Sequence, residues 1–326
     1  MTIQELAKLA GVSTATVSRV FNHHPVREEI RRKIFDLAKK HHYLPRISTR
    51  QKNVVVLTPS DALFPAHSCV DMLLLALAQT FPKRGFRLEI LPVNNLERLA
   101  GIPFCGAVAI GLEASEFSGW DERFATPLVV VDRYPENGKM MRNIYFVHSD
   151  EIQAMQLAID HLYVGGCRKI GCIVHGTPEK GNARIRFEAI ADALKRHGLP
   201  CERMLCYAGN GTEKYVELIG KMLRYGADAL FCPGGNAGLM ALYALSLYGK
   251  KIPDDIALIA SEQTAFSRYT VPPQTTFSPD YRKIAETVAD VFDGKNTQKC
   301  VSLPCRLIVR ESTPETGEAK VPESVR

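Results

Sequence analysis

The first 43 residues alternate apolar and polar positions with the period of three short amphipathic helices. Thr2 stands three residues before Glu5, a spacing that predicts a capping box at the first helix, and Gly11 supplies the turn that ends it. Ser13 is placed to cap the second helix, and the third is predicted from about residue 27 to 42. The first helix takes its periodicity from Ile3, Leu6, Ala7, Leu9 and Ala10. The second is predicted to carry Val17, Val20 and Phe21 on its inner face, and the third to bury Ile30, Ile34, Leu37 and Ala38.

The remaining chain alternates strand-like apolar runs with helical periods. Val54–Leu57, an irregular loop from 58 to 65, a helix around 70–84 and a strand at 87–91 predict a βαβ unit. Further strands are predicted at Ala107–Ile110, Leu128–Val131, Ile170–Val174, Ala229–Cys232 and Ile256–Ala260. Strands separated by helices favour a doubly wound α/β fold with parallel sheets. The polar residues 313–326 predict a disordered tail.

Charge divides the chain unevenly. Residues 1–53 carry eleven Lys and Arg against four Asp and Glu, a net charge of +7, whereas the rest of the chain carries a net charge of −1. A basic segment of this kind is typical of one that meets a polyanion such as nucleic acid. The beginning of the sequence does not resemble a signal peptide, and the longest apolar run, Met72–Ala78, is too short to span a bilayer. We therefore expect a cytoplasmic protein with no membrane partner.

The nine cysteines favour a reducing compartment and buried free thiols rather than a metal centre. Three pairs are spaced five residues apart, but no CxxC occurs and no histidine has zinc-ligand spacing to them. We expect neither a metal nor a cofactor.

The outer face of the second helix is the feature that favours DNA over a protein-binding helical bundle, the alternative for this segment. Its residues are small or hydrogen-bonding and leave room for close approach to a groove: Thr14, Ala15, Thr16, Ser18, Arg19 and Asn22. Hydroxyl groups suit phosphates and base edges, a methyl group suits thymine, and a guanidinium suits guanine. The segment is predicted to be a helix-turn-helix domain over residues 1–45.

Residues 2–22, TIQELAKLAGVSTATVSRVFN, together with Tyr43-Leu44-Pro45, resemble the head of the LacI/GalR family of bacterial transcriptional regulators almost residue for residue. The resemblance implies that Thr14, Ala15 and Arg19 read bases in the major groove. It places Ser13, Thr16, Ser18 and Asn22 mostly at the DNA backbone. The remaining predicted DNA-binding residues are Thr2, Tyr43, Arg46 and Arg50.

The body, residues 54–312, is similar to the periplasmic-binding-protein-like domain of that family, which binds effectors in a cleft between two lobes and also dimerises. By analogy the N-lobe takes about 54–153 and 275–299, and the C-lobe about 154–274 and 300–312. The resemblance assigns Asp132, Arg186 and Glu262 to the effector, and the other predicted effector residues are Asp61, Phe64 and Gly235. Such groups suit a polyhydroxylated ligand. An ion pair without a ligand is the alternative.

Two departures from the family pattern change these expectations. Gly234-Gly235 stand where the family commonly has Asn-Asp, and the linker of residues 46–53 lacks the Asn-x-x-Ala-x-x-Leu hinge helix. We expect the linker to act as a short basic tether, with Lys52 contributing to DNA affinity irrespective of sequence, although Ile47 remains an alternative wedge for the minor groove.

Taken with the resemblance, these residues predict a homodimeric regulator, in the repressor class, that binds a pseudo-palindromic double-stranded operator under control of a small polar effector. The glycine-rich turn Gly234–Gly238 keeps a different class open. It is an α/β enzyme that acts on a phosphorylated small molecule and carries a DNA-binding regulatory head.

Overall fold

The computed structural model describes residues 1–21, 24–41, 43, 52–59, 68–92, 96–99, 102–135, 142–179, 181–209, 211–262 and 265–314. Its helices are α1 (Ile3–Ala10), α2 (Thr14–Phe21), α3 (Glu28–Lys40), α4 (Ser68–Thr80), α5 (Trp120–Arg123), α6 (Glu151–Val164), α7 (Gly181–Arg196), α8 (Tyr215–Arg224), α9 (Ala237–Leu247) and α10 (Tyr281–Phe292). Its strands are β1 (Asn53–Thr58), β2 (Arg87–Pro92), β3 (Gly106–Ile110), β4 (Leu128–Val131), β5 (Ile144–Ser149), β6 (Ile170–His175), β7 (Leu205–Gly209), β8 (Ala229–Cys232), β9 (Ala257–Ser261), β10 (Thr275–Pro279), β11 (Cys300–Leu303) and β12 (Cys305–Ile308).

The chain divides into two compact units, each built from separate stretches of sequence. The first unit comprises Met1–His148 and Tyr281–Ser302, and the second comprises Ser149–Asp280 and Leu303–Arg326. Within the described residues, each unit contains a six-stranded sheet, in the orders β11-β5-β4-β3-β1-β2 and β12-β10-β9-β8-β6-β7. The predicted fold class, a helical head followed by a two-lobed α/β body, is confirmed.

Parallel pairing dominates both sheets because helices cross over between successive strands. β1 pairs in parallel with β2 and β3, and β8 pairs in parallel with β6 and β9. Such strands are covered on both faces, which explains their continuous apolar runs. Val54–Leu57 are fully buried. The antiparallel strand β12 closes one edge of the second sheet beside β10.

All three of the predicted lobe boundaries are wrong. β10, which the N-lobe was expected to contain, pairs with β9 and β12 in the second sheet. β11, which the C-lobe was expected to contain, lies beside β5 in the first sheet. The start of α6 also belongs to the second unit, so the change of unit comes after His148 instead of residue 153. These assignments depend on which distant strands pair with each other, and the local pattern of apolar residues does not show that pairing.

Candidate nucleic-acid interface and ligand site

Helix α1 begins and ends as its sequence predicts. The Thr2 N–H donates to Glu5 Oε2 at 2.8 Å, and the Glu5 N–H donates to Thr2 Oγ1 at 3.2 Å, which completes the capping box. Gly11 takes a left-handed conformation with φ of 68°, and the Val12 N–H turns back to the Ala7 carbonyl at 3.0 Å. The tight turn that this glycine permits delivers the chain directly into α2.

Helix α2 is divided between a buried and an exposed face. Val17, Val20 and Phe21 are buried in the core of the head, together with Leu6 and Ile34. Thr14, Ala15 and Arg19 are exposed. At about 100° per residue, these three positions fall within an arc of about 140° on the side opposite the core. The structure thus brings the three predicted base-reading residues together on one accessible surface.

Other residues predicted to bind DNA have a structural role within the head. Ser13 Oγ accepts the Thr16 N–H at 3.1 Å and shares a hydrogen bond with Thr16 Oγ1 at 2.9 Å, which caps α2. Tyr43 is buried, with its ring 5.5 Å from that of Phe21. Ser18 is half-buried. A DNA contact by any of these residues, or by the capping residue Thr2, stays a prediction.

Five of the predicted site residues lie outside the described part of the chain. They are Asn22, Arg46 and Arg50 of the DNA-binding set, and Asp61 and Phe64 of the effector set. The interpretation of linker residues 46–51 as a basic tether falls outside it as well. The prediction of a disordered tail over residues 313–326 is wrong at its start, because Thr313 is buried and its hydroxyl lies 2.9 Å from Thr275 Oγ1; residues 315–326 lie outside the described part.

The structure gives Lys52 partners within the protein, and its expected contribution to DNA affinity stays a prediction. Lys52 Nζ lies 3.8 Å from Asp293 Oδ1 and 4.7 Å from the centre of the Phe86 ring, both in the first unit. A lysine between a carboxylate and an aromatic face is attracted electrostatically to both, which favours a position against the first unit. The sequence could not show this because Asp293 lies 241 positions further along the chain.

In the second unit Arg186 forms a buried, two-pronged ion pair with Glu151. Arg186 Nε donates to Glu151 Oε2 at 2.8 Å, and Nη2 donates to Oε1 at 2.5 Å. The side chains are 11% and 4% exposed, so this pair is shielded from water. Glu151 is the first residue of α6, where the helix dipole favours a negative charge. Sequence reasoning found Arg186 but missed its partner.

His175 is a second residue that sequence reasoning missed. It ends β6, at the carboxyl edge of the parallel sheet, where open α/β folds bind ligands. A Cβ added at Gly235 would lie 2.9 Å from His175 Cδ2, and one at Gly234 would lie 2.7 Å from Arg186 Nη1. The two glycines, with φ of 95° and 47°, therefore make room for the imidazole and the guanidinium. Burial and then the nearby Arg186 charge lower the pKa of His175, which favours the neutral ring.

Tyr215 and Ser261 complete this carboxyl edge. Tyr215 is fully buried, its hydroxyl lies 3.4 Å from His175 Nδ1, and burial raises its pKa, so it remains a phenol. Ser261 Oγ accepts the Gly234 N–H at 2.8 Å. We call Glu151, His175, Arg186, Tyr215 and Gly234–Gly235 the edge cluster.

Glu262, a predicted effector residue, is engaged elsewhere in the same unit. Arg310 Nη1 donates to Glu262 Oε2 at 2.9 Å, Nη2 donates to Oε1 at 3.2 Å, and the Thr276 hydroxyl donates to Oε2. This buried pair ties the chain after β12 to the end of β9. An effector contact by Glu262 stays a prediction, and it requires a change in this pairing.

Asp132 lies in the first unit directly after β4. It is half-buried and takes φ of 58°, one of two positive values among the described residues other than glycine. Aspartate tolerates this region better than most residues, and such conformations concentrate at functional sites. The backbone geometry is compatible with the predicted effector role and does not test it.

The described cysteines are free thiols, and burial raises the pKa of Cys167 and Cys206 to about 11. Within the described residues, no three His, Cys, Asp or Glu side chains are grouped as metal ligands. In the same part of the chain, no helix is both long and apolar enough to cross a membrane.

Comparison with known families gives two matches. Residues 2–46 match the model described as bacterial regulatory proteins, lacI family, and residues 159–313 match a periplasmic binding protein-like domain. The first match covers α1, α2 and α3, and the second covers most of the second unit, including Arg186, His175 and Glu262.

Individual proteins resemble the chain over most of its length. It is 25% identical over 338 residues to the HTH-type transcriptional regulator DegA of Bacillus subtilis (strain 168), covering 96% of this chain and 98% of that protein. It is 27% identical over 299 residues to the HTH-type transcriptional repressor PurR of Actinobacillus pleuropneumoniae serotype 3 (strain JL03), covering 84% and 85%.

Two solved structures share the fold. The transcriptional regulator CelR–cellobiose complex matches with a TM-score of 0.67 at 24% identity, covering 96% of this chain and 99% of that one. The lac repressor dimer bound to operator and the anti-inducer ONPF matches with a TM-score of 0.66 at 20% identity, covering 97% and 99%.

Proposed function

Because the chain belongs to the LacI/GalR family of bacterial transcriptional regulators, we propose that it is a repressor that binds a pseudo-palindromic operator as a homodimer. Its affinity for the operator is set by a small polar effector in the body. Like its relatives, the chain is a DNA-binding transcriptional regulator and not an enzyme. The interpretation of Gly234–Gly238 as the phosphate loop of an enzyme is therefore set aside. We place the protein in the cytoplasm with its DNA.

The observation that carries the proposal is the exposed triad of Thr14, Ala15 and Arg19 on a helix whose other face is buried. The DNA major groove is wide enough to admit one helix. Arg19 offers two parallel donors for a guanine, Ala15 a methyl group for thymine, and Thr14 a hydroxyl for a base edge or phosphate. The net charge of +7 over residues 1–53 supplies the attraction to phosphates that brings this face to the duplex.

An exposed apolar surface on the second unit supports the homodimer. Leu239, Tyr243 and Leu247 recur every four residues along α9 and are 38%, 55% and 58% exposed. The Gln274 side chain donates to the carbonyl of Gly238, near the start of α9, at 2.9 Å. In the loop that comes before Gln274 in the chain, Tyr269 and Val271 are 73% and 94% exposed. Several exposed large apolar side chains on one helix and a nearby loop are typical of protein interfaces. A second copy of the chain is the partner we assign to it.

The edge cluster supports the effector site. It combines a guanidinium, an imidazole and a carboxylate at the carboxyl ends of parallel strands, where α/β proteins bind small ligands. One matched regulator was solved as a complex with cellobiose. We propose a sugar-like or related polar metabolite, coupled to operator affinity by about 1–3 kcal/mol.

The DNA-binding proposal is tested by selecting preferred sites from a randomised duplex library with full-length wild type and with Arg19→Ala. We expect the variant to lose about 1–3 kcal/mol of discrimination at one position of each half-site. Arg32→Ala is the control, since this exposed arginine lies on α3. If Arg19→Ala selects the same site with the same stringency, the assignment of Arg19 as a base reader is wrong.

The effector proposal is tested by a thermal-shift screen of sugars, sugar phosphates and nucleobases. A specific compound raises the melting temperature by mass action. His175→Gln should abolish that shift while leaving site selection unchanged. A compound that stabilises both proteins equally would show that His175 takes no part in effector binding.

A further inference from the structure

Four charged side chains surround the point where the linker from the head enters the first unit. Arg84 Nη1 lies 2.5 Å from Asp290 Oδ1 and 3.3 Å from Asp293 Oδ2, and Lys52 Nζ lies 3.8 Å from Asp293 Oδ1. We call these four residues the linker anchor. Their side chains are between 19% and 34% exposed, so the ion pairs are partly shielded from screening by salt.

Lys52 is held by its backbone as well as by its side chain. Its carbonyl accepts the Arg87 N–H at 2.8 Å, and its ammonium group lies within 3.5 Å of the Arg84 carbonyl and 4.7 Å of the Phe86 ring centre. The next residue, Asn53, starts β1 and bonds to Glu89 at 2.8 Å. The chain is therefore fixed in place from Lys52 onwards.

The acidic half of the anchor stands on a rigid base. Asp290 lies in the last turn of α10, and Asp293 follows its end. Phe292, between them, packs its ring against Phe81 and Phe86 at centroid distances of 5.9 and 6.2 Å. Since α10 also packs along α4, the two carboxylates move with the core of the first unit.

We propose that the linker anchor is a positioning device for operator recognition, which sets the spacing between the half-sites that the two heads can occupy. This inference rests on the proposed dimeric binding of a pseudo-palindrome. Only six residues, 46–51, separate Pro45 from Lys52, and the seven steps between these two residues span at most about 25 Å when fully extended. Half-sites one helical turn apart are separated by about 34–36 Å. Because the linker is so short, the position of Lys52 limits the distance over which each head can reach a half-site.

The test is a selection from a duplex library of inverted half-sites joined by spacers of graded length, using the full-length protein. Wild type should enrich a narrow range of spacers. The double variant Asp290→Asn/Asp293→Asn should broaden that range, with discrimination between the best spacer and its neighbours falling about tenfold, a coupling of ordinary size for proteins. The half-site sequence should not change. The double variant removes two negative charges, which should raise its affinity for every duplex alike. This effect cancels because the affinities for different spacers are compared as ratios within one protein.

Two further variants make the result decisive. Glu286→Gln removes an ion pair with Arg282 from the same helix α10 and should keep the wild-type spacer range. Lys52→Gln leaves Arg84 with its carboxylates, so it tests the anchor even if the double variant folds poorly. It should broaden the spacer range and leave the salt dependence of binding unchanged. If Lys52 contacted a phosphate, Lys52→Gln would instead lower the affinity for every spacer alike and flatten the salt dependence.

Each outcome separates this inference from the proposed function. A wild-type protein that enriches no inverted repeat contradicts dimeric operator binding itself. A wild-type protein with a narrow spacer range that persists in folded Asp290→Asn/Asp293→Asn and in Lys52→Gln overturns the role of the anchor alone.

Discussion

The exposed face of α2, formed by Thr14, Ala15 and Arg19, and the edge cluster of the second unit differ in how accessible their side chains are. Thr14, Ala15 and Arg19 stand on the outside of a helix, exposed to solvent before any partner arrives. Arg186 and Glu151 are buried and already hydrogen-bonded to each other. A polyanion is met by groups that need only shed water, whereas a small ligand at the edge cluster must exchange partners with the protein.

This difference explains how one chain can treat its two ligands differently. Contacts made by exposed groups change affinity without altering the protein, so DNA recognition depends on the shape of the head. A ligand that accepts a hydrogen bond from Arg186 or His175 should weaken the buried ion pair between Arg186 and Glu151. A weaker pair alters the contact between α6 and α7, which carry these two residues. The proposed function accordingly assigns regulation to the buried edge cluster and specificity for DNA to the exposed face of α2.

The largest expected effect tests the buried side of this contrast. Glu151→Gln leaves the Arg186 guanidinium in a shielded site without its carboxylate, which should lower the free energy of unfolding by about 3–5 kcal/mol. Urea denaturation followed by circular dichroism measures it. Glu217→Gln is the control: it removes an exposed pair with Lys221 on α8, at 2.6 Å, and should leave the urea midpoint close to that of wild type because solvent screens such a pair. Equal effects would mean that the Glu151 pair is not shielded.

The next effect concerns the core that supports the exposed face of α2. Leu6 is fully buried in the head, so Leu6→Ala should destabilise the head by about 2–5 kcal/mol and remove DNA binding while the body still unfolds as in wild type. Leu9→Ala, on the same helix but 51% exposed in wild type, should retain binding. Operator affinity and the thermal transition of the body report the two parts separately, and a Leu9→Ala variant as damaged as Leu6→Ala contradicts this division.

A smaller effect decides between two roles for Thr2. Thr2 caps α1, so Thr2→Ala should lower the free energy of unfolding of the head by about 1 kcal/mol. Thr2→Ser keeps the hydroxyl group and should retain most of that stability. Hydrogen exchange of the α1 amides measures the loss. Operator affinity that falls equally in both variants, with α1 protection intact, would instead favour a DNA contact through the threonine methyl group.

The smallest effect is a dependence of stability on pH. Burial lowers the pKa of His161, whose Nε2 lies 3.0 Å from Thr313 Oγ1. The folded protein therefore keeps this ring neutral, while the unfolded chain binds a proton near its ordinary pKa of about 6.5. Stability should fall as the pH drops through about 6.5 towards the lowered pKa of the folded state. Urea midpoints at about pH 7.5 and pH 5.5 should differ less in His161→Gln than in wild type; identical differences would contradict the effect.

The sequence predicts the head well because the determinants there are local. The Thr2 and Glu5 caps, the turn at Gly11 and the outward position of Arg19 all follow from spacings of three to five residues along one helix or turn. The strands of the body are predictable for the same reason, since their buried apolar runs identify them one at a time.

What the sequence leaves open depends on distant partners. Arg186 meets Glu151 across 35 positions, and Lys52 meets Asp293 across 241. Their ion pairs arise only when α6, α7 and α10 are packed. The assignment of β10 and β11 to their sheets fails for the same reason: a strand's pattern shows that it is buried but not which neighbour it pairs with.

The placement of β11 has a consequence for how the protein is made. This strand comes from residues 300–303 and forms the edge of a sheet whose other strands end at residue 149. A ribosome adds roughly 5–20 residues per second. The first sheet therefore waits many seconds, with the side of β5 uncovered, until the last tenth of the chain has been synthesised. A nonsense mutation between the start of the body at residue 54 and Cys300 should thus yield a protein with a basic DNA-binding head and an incomplete body.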